Sequence, residues 1–224
     1  MSSSIQNSNF DGFVFTIDGL IGSGKSTILE YLHKNHGIPI DVEPVEKWVP
    51  YLKRMYEENT GTFEFQTRVW LDRCWIQPKK HVNIIIERSP LFQKYVFVEA
   101  SAVNNTLTES ERGILDEMYD KSMNMWNPRG YIYLRSDPDK CAERIKTRGR
   151  KCEDGISIDY LQQLHELHEK AYMMASANRL PIICIDIEGK SVEKVATEVW
   201  TALQILGIRV KPKYHQHQHT HPKN

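Results

Sequence analysis

From Gly19 to Thr27 the chain reads Gly-Leu-Ile-Gly-Ser-Gly-Lys-Ser-Thr: a glycine, four residues, then Gly24, Lys25 and Ser26. That order suits a phosphate chain. Glycines let the backbone turn back so that several N–H groups converge on one anion. A helix starting there adds the positive end of its dipole. Lys25 can reach the outer phosphates, and the Ser26 hydroxyl can hold Mg²⁺. The run Gly19, Leu20, Ile21, Gly22, Ser23, Gly24, Lys25, Ser26 and Thr27 is therefore the candidate site for a nucleoside triphosphate such as ATP. A chance glycine-rich turn is the alternative.

Phosphoryl transfer also needs a carboxylate for the metal, a group to activate the acceptor, and cations for the developing charge. Glu87, in Glu87-Arg88-Ser89, can approach a metal at Ser26, or it can be a helix-capping acid. Glu43 can accept a proton from a substrate hydroxyl, or it can be a surface acid at a strand end. Arg144, Arg148 and Arg150 form an R-x-x-x-R-x-R cluster, which reads as a lid over triphosphate or as a solvated basic face.

The elements around these residues alternate. Val14, Phe15 and Ile17 predict a buried strand before the glycine run, and Ile28, Leu29 and Leu32 follow at helical spacing. Gly37 ends that helix, and Ile38–Val42 predicts the second strand, with Glu43 just past it. Pro50 to Arg73 predicts two helices broken near Asn59–Gly61. Val82–Ile86 predicts the third strand, ending at Glu87, and Pro90 opens a helix through Val98. A loop, Ser101–Thr108, leads to a helix from Glu109 to Trp126, and Tyr131–Leu134 predicts the fourth strand. Asp137-Pro138 starts the next helix, and Ser157 caps a long one to Asn178. Pro181–Ile187 predicts the fifth strand, and Ser191–Leu206 the last helix. Five strands alternating with helices predict a doubly wound parallel five-stranded sheet of the α/β class; the phosphate loop, with the arginine cluster read as a lid, makes the expectation a P-loop kinase with a helical lid.

The 224 residues are 40% hydrophobic, enough for one core, with 29 basic and 29 acidic side chains. That balance does not suggest nucleic acid as a partner, and no apolar run is long enough to cross a bilayer. Four scattered cysteines without a C-x-x-C suit reduced thiols and a cytoplasmic protein. Residues 1–10 read as a disordered lead and 11–209 as the kinase domain. Residues 210–224, with His215, His217, His219 and His221, read as a disordered histidine-rich tail. His165 and His168 beside Glu166 and Glu169 lack metal-site spacing and read as a helix face.

Several ordered motifs resemble those of the deoxynucleoside kinases, from about Phe13 to Ile208. Besides the phosphate loop, they are Glu43-Pro44-Val45 with Trp48, Phe65-Gln66-Thr67, Glu87-Arg88-Ser89 with Tyr95 and Phe97, Arg148-Gly149-Arg150, and Tyr160-Leu161 with Leu164-His165 and His168-Glu169. The resemblance implies that Glu43 is the general base for a 5′-hydroxyl, with Arg88 holding the same region. It implies that Gln66 pairs with the base, that Phe97 stacks on it, and that Trp48 and Val69 wall the pocket. Tyr56 and Glu153 would hold the sugar 3′-hydroxyl. Arg144, Arg148 and Arg150 would cover the donor phosphates, and Glu188, Gly189 and Lys190 would meet the adenine. A homodimer is implied as well.

Two positions depart from the family pattern. Arg73 is usually joined by an Asp at the position of Gln93; without that partner it is expected to turn to an acceptor on the base. The rival readings are a thymidylate or other nucleoside monophosphate kinase, and a non-catalytic nucleotide-binding module on the same fold.

Overall fold

The computed structural model describes residues 12–75 and 82–208. The lead, the tail and the outermost residues of the expected kinase domain lie outside these described residues. Five parallel strands form one sheet in the order β2-β3-β1-β4-β5. They are β1 (Val14–Gly19), β2 (Ile40–Asp41), β3 (Ile84–Glu87), β4 (Gly130–Arg135) and β5 (Ile182–Asp186). The chain fills one side of β1 with β3 and β2, then crosses to the other side for β4 and β5. Where the order reverses, a crevice opens beyond the carboxyl ends of the strands. The register places Ile17 beside Glu87, so the exits of β1 and β3 are neighbours.

Both faces of the sheet are covered, which explains why its strands read as apolar runs rather than as alternation. On one face, Phe15, Ile17, Ile85 and Ile132 pack with Leu29 and Leu32 of α1 (Lys25–His36) and with Val195 and Val199 of α9 (Val192–Ile205). On the other, Tyr131 and Tyr133 meet Leu161, Leu164 and Leu167 of α8 (Ile158–Ala177). A smaller cluster of Trp48, Leu52, Phe65 and Val69 joins α2 (Val45–Glu57) to α3 (Thr62–Arg73) and walls off the crevice.

Helix punctuation follows local chemistry. Gly37 closes α1 in the left-handed conformation. Asp137 caps α7 (Pro138–Arg148) by accepting from the N–H groups of Asp139 and Lys140. Ser157 caps α8, and Thr108 with Glu111 forms a capping box on α6 (Glu109–Trp126).

Four expectations change. α2 begins at Val45, after Glu43 and the N-cap residue Pro44, and carries Pro50 inside it rather than starting there. Strand β2 shortens to two residues, because it is an edge strand paired only to β3. After α4 (Pro90–Phe92) the chain becomes π-helical over Gln93–Val98. It then returns to α5 (Glu99–Val103), which takes up the first part of the expected loop.

Candidate active site

The bend between β1 and α1 depends on backbone conformations that only glycine takes without strain. Gly22 lies at φ 81°, and a Cβ there would stand 2.8 Å from the carbonyl oxygen of Cys141 on α7. Lys25, the first residue of α1, is buried and donates to the carbonyls of Gly19 and Leu20 at 3.2 and 3.0 Å. Burial, and next the nearby Arg88 guanidinium, push its amine down to about 8. Leu20 turns its side chain into the core, and the buried Ser23 hydroxyl has no partner.

The β3 exit faces this bend. Ser26 Oγ donates to both carboxylate oxygens of Glu87, at 3.1 and 3.0 Å, and Lys25 Nζ stands 4.0 Å from Glu87. A hydroxyl against a carboxylate is a hard oxygen pair of the kind Mg²⁺ takes, and Mg²⁺ commonly uses one or two carboxylates with phosphate and water filling the rest. Among the described residues there is no cluster of three or more metal-binding side chains of His, Cys, Asp or Glu. The donor set therefore fits Mg²⁺ held with a triphosphate.

Arg88 follows at φ 70°, a conformation unfavourable for a residue with a side chain. It persists because its surroundings determine it. Its N–H donates to the Ile17 carbonyl at 2.8 Å. The next residue, Ser89, donates to Asp18 Oδ1 from its N–H at 2.7 Å and from its hydroxyl at 3.1 Å. So held, the Arg88 guanidinium donates to Glu43 Oε1 at 2.6 Å and to the Gly19 carbonyl at 3.3 Å, and lies 4.3 Å over the Phe97 ring. Burial alone would raise the Glu43 carboxyl, but the charges of Arg88 and Lys25 prevail and hold it below its ordinary value. Glu43 is thus ionised at neutral pH, a carboxylate oriented by a fixed guanidinium.

These groups share one cavity of about 280 Å³, near the small end of the roughly 300–1,000 Å³ typical of ligand pockets. Its lining brings together Ile21, Gly22, Gly24, Lys25, Ser26 and Thr27 from the bend with Glu43, Trp48, Tyr56, Gln66, Val69, Glu87, Arg88, Gln93, Phe97, Arg148, Arg150 and Glu153. Trp48 is fixed by donating to Asp72 at 2.9 Å. Tyr56 packs edge-on against Tyr160, and burial keeps its hydroxyl protonated well above the usual range. Arg148 and Arg150 both turn to Glu153, at 2.6 and 3.5 Å.

Arg73 does not join this set. Its guanidinium donates to Asp41 Oδ1, the Asp41 and Val42 carbonyls, and the Glu87 carbonyl. In this structure those acceptors take its terminal N–H groups rather than the open cavity, while its buried Nε has no partner. Asp41, 32 residues away, supplies the carboxylate that the Gln93 position lacks. Arg144 also stays off the cavity wall and meets Glu188 at 3.5 Å. Glu188 accepts from the Asp137 N–H, and Lys190 pairs with Glu198. His168 is wholly buried, its Nδ1 on the Leu164 carbonyl, and Glu169 pairs with Arg135.

Sequence reasoning passed over Asp18, Asp41, Asp72, Met55 and Ile156, which hold or line the site, and gave no role to Phe65 and Tyr160, which it named only within motifs. Of the residues passed over, Asp18 carried a readable signal, as an acid near the end of a buried strand.

A glycine bend gripping a lysine, with the Glu43 carboxylate lining the same cavity, defines a P-loop phosphotransferase with an acceptor pocket. A family model described as deoxynucleoside kinase matches residues 15–206. Deoxycytidine kinase 2 of Gallus gallus is 30% identical over 215 residues, covering 77% of this chain and 81% of that protein. Mitochondrial thymidine kinase 2 of Homo sapiens is 28% identical over 192 residues, covering 78% and 71%. Among solved structures, a deoxyadenosine kinase from M. mycoides with products dCMP and dCDP bound superposes with a TM-score of 0.75 at 27% identity, covering 86% of this chain and 99% of that one. The chain belongs to the deoxynucleoside kinase family and phosphorylates deoxynucleosides with ATP; the nucleoside monophosphate kinase alternative is not favoured. No described helix is long and apolar enough to cross a membrane.

Proposed function

We propose that the cavity seats a deoxyribonucleoside with its 5′-hydroxyl toward Glu43 and Arg88 while the Gly19–Thr27 bend cradles the triphosphate of ATP. The observation that carries this reading is that Glu43 lines one cavity of about 280 Å³ together with Lys25 and Ser26 of the glycine bend. Glu43 accepts the hydroxyl proton as the oxygen attacks the γ-phosphorus in line, and ADP departs. A carboxylate held below its ordinary value is a weak base, which suits a loose transition state where catalysis is mostly positioning and charge neutralisation. Arg88 keeps the carboxylate aimed, and Lys25 meets the outer phosphates. Ser26 and Glu87 would hold Mg²⁺, which when bound neutralises phosphate charge.

Phe97 and Trp48 enclose the base, Gln66 reads its edge, and Tyr56 with Glu153 takes the 3′-hydroxyl. Arg148 and Arg150 leave Glu153 for the donor phosphates, with Arg144 beside them, and the Glu188–Lys190 turn meets the adenine. The reading includes a cytoplasmic homodimer, supported by the family resemblance and the free thiols; light scattering on the purified chain reads its mass.

The test is ADP release with each of the four deoxynucleosides and, in parallel, their 5′-monophosphates, with and without a Mg²⁺ chelator. Turnover with nucleosides that stops on chelation is expected. A folded sample that turns over none of the nucleosides would overturn the reading.

A further inference from the structure

An indole carries one donor, its ring N–H, and no acceptor. Trp48 lines the cavity and is 4% exposed, so that N–H needs a protein partner, and the place of the partner sets the plane of the ring. The partner is Asp72, which does not itself line the cavity. Trp48 Nε1 donates to Asp72 Oδ2 at 2.9 Å, across 24 residues of sequence.

The carboxylate is held in turn. Arg68, one turn earlier on α3, donates from Nε to the same Oδ2 at 2.8 Å and from Nη2 to Oδ1. Burial would raise the Asp72 carboxyl, but the hydrogen bonds from Arg68 and Trp48 and the Arg68 charge hold it below its ordinary value. It is therefore ionised at neutral pH, and the bond from the indole is charge-assisted. α3 serves the cavity in two ways. Gln66 and Val69 reach it directly, and Asp72, three residues past Val69, holds the ring that α2 contributes.

No described side chain caps the start of α2, so its first turn, which carries Trp48, takes its place from packing on α3. The apolar contact there does not choose a ring orientation by itself. Phe65 meets the indole at 6.1 Å with the planes 83° apart, a contact that is blind to where the N–H points. Without Asp72 the N–H is left unpaired, or the ring turns it toward the open cavity and the flat wall is lost. Glu43 is aimed separately, by Arg88 at 2.6 Å.

Resting on the reading that the cavity seats a nucleoside, we propose that Asp72 is a positioning residue that acts through the Trp48 indole, setting nucleoside affinity and leaving the chemical step alone.

The probe is whichever of the four deoxynucleosides the unmodified protein turns over fastest. Asp72→Ala should raise its KM and Kd by about tenfold, a factor typical of an unpaired buried donor, with kcat within about threefold and ATP affinity within about twofold. Asp72→Asn still offers the indole an amide oxygen, so it should bring KM back to within about threefold of the parent. The deciding background is Trp48→Phe, which has no N–H to hold. There, adding Asp72→Ala should change KM by less than about twofold. A general loosening of α2 on α3 would cost the same factor in both backgrounds, and that result would overturn the proposal. So would an unchanged KM in folded Asp72→Ala, or a loss carried by kcat. Should Asp72→Ala not fold, Asp72→Leu, which fills the space and accepts nothing, is read by the same criteria. Steady-state kinetics and calorimetry give these values, and urea unfolding establishes that each variant is folded. An unmodified protein that turns over none of the four deoxynucleosides would instead bring down the nucleoside reading itself, and this proposal with it.

Discussion

Replacing Asp18 by asparagine should make the protein more stable at neutral pH. The side chain is wholly buried at the end of β1, and burial raises its carboxyl from 3.8 to about 6, against the pull of hydrogen bonds from Ser89 and Thr16 and of the Arg88 charge. At a little over 1.3 kcal/mol per pH unit, keeping it ionised costs the folded state about 3 kcal/mol, an upper figure. The sign follows from proton counts. Below the unfolded value of 3.8 both states hold the proton and there is no penalty. As pH rises toward 6 the unfolded chain releases its proton first, so stability falls, and above 6 the whole penalty applies. Asparagine has the shape of the protonated acid. Its oxygen can still accept from the Ser89 N–H and hydroxyl, and its amide can donate to Thr16 Oγ1. Urea unfolding at pH 7.5 and pH 4.5 is the assay. The Asp18→Asn variant should gain up to about 3 kcal/mol at the higher pH, with the gain shrinking at the lower one. Asp18→Ala leaves the Ser89 donors unpaired and should lose about 1–3 kcal/mol relative to Asp18→Asn. An Asp18→Asn protein that is no more stable at pH 7.5, or whose gain is equal at both pH values, would refute the reasoning.

Four further outcomes follow. Glu43→Gln should lower kcat by about 10²- to 10⁴-fold with ATP binding nearly intact, read by steady-state kinetics and calorimetry; full-rate phosphorylation would remove Glu43 as the base. Because Lys25 titrates near 8 in the free protein, ATP affinity should weaken as pH rises, by about tenfold at pH 9 if only the charged amine binds. Isothermal titration from pH 7 to 9 checks this, and a flat profile contradicts it. The same lysine is costly to bury charged, so its share of stability should improve as pH passes from about 8 toward the unfolded value of 10.5. Gly22→Ala forces a side chain against Cys141 at a left-handed position, at a cost of about 1–3 kcal/mol. It should weaken ATP binding far more than nucleoside binding, and equal loss of both would count against a local effect at the bend.

The candidate triphosphate site was legible because its information is local: the strand, the glycine bend, Lys25 and Ser26 occupy one short stretch. The helix caps were legible for the same reason, since Asp137 and Ser157 bond to N–H groups two or three residues on. Strand alternation with helices implied the parallel sheet, and the family motifs pointed to Glu43, Gln66 and Glu153. None of these signals contains a partner distant in sequence. Arg73 is expected to turn to the base because the Gln93 position lacks the family's acid; Asp41, the carboxylate it meets in the fold, reaches it only when β2 and α3 pack together. Gln93 looked like a missing acid until the fold set it against Gln66. The π-helical segment was hidden too, because one wide turn barely alters helical spacing. Residue type and short-range order thus determined which chemistry the chain can perform. Packing of elements tens of residues apart decided which side chain each buried charge or amide meets, because burial removes water as the alternative partner and leaves only what the fold brings near.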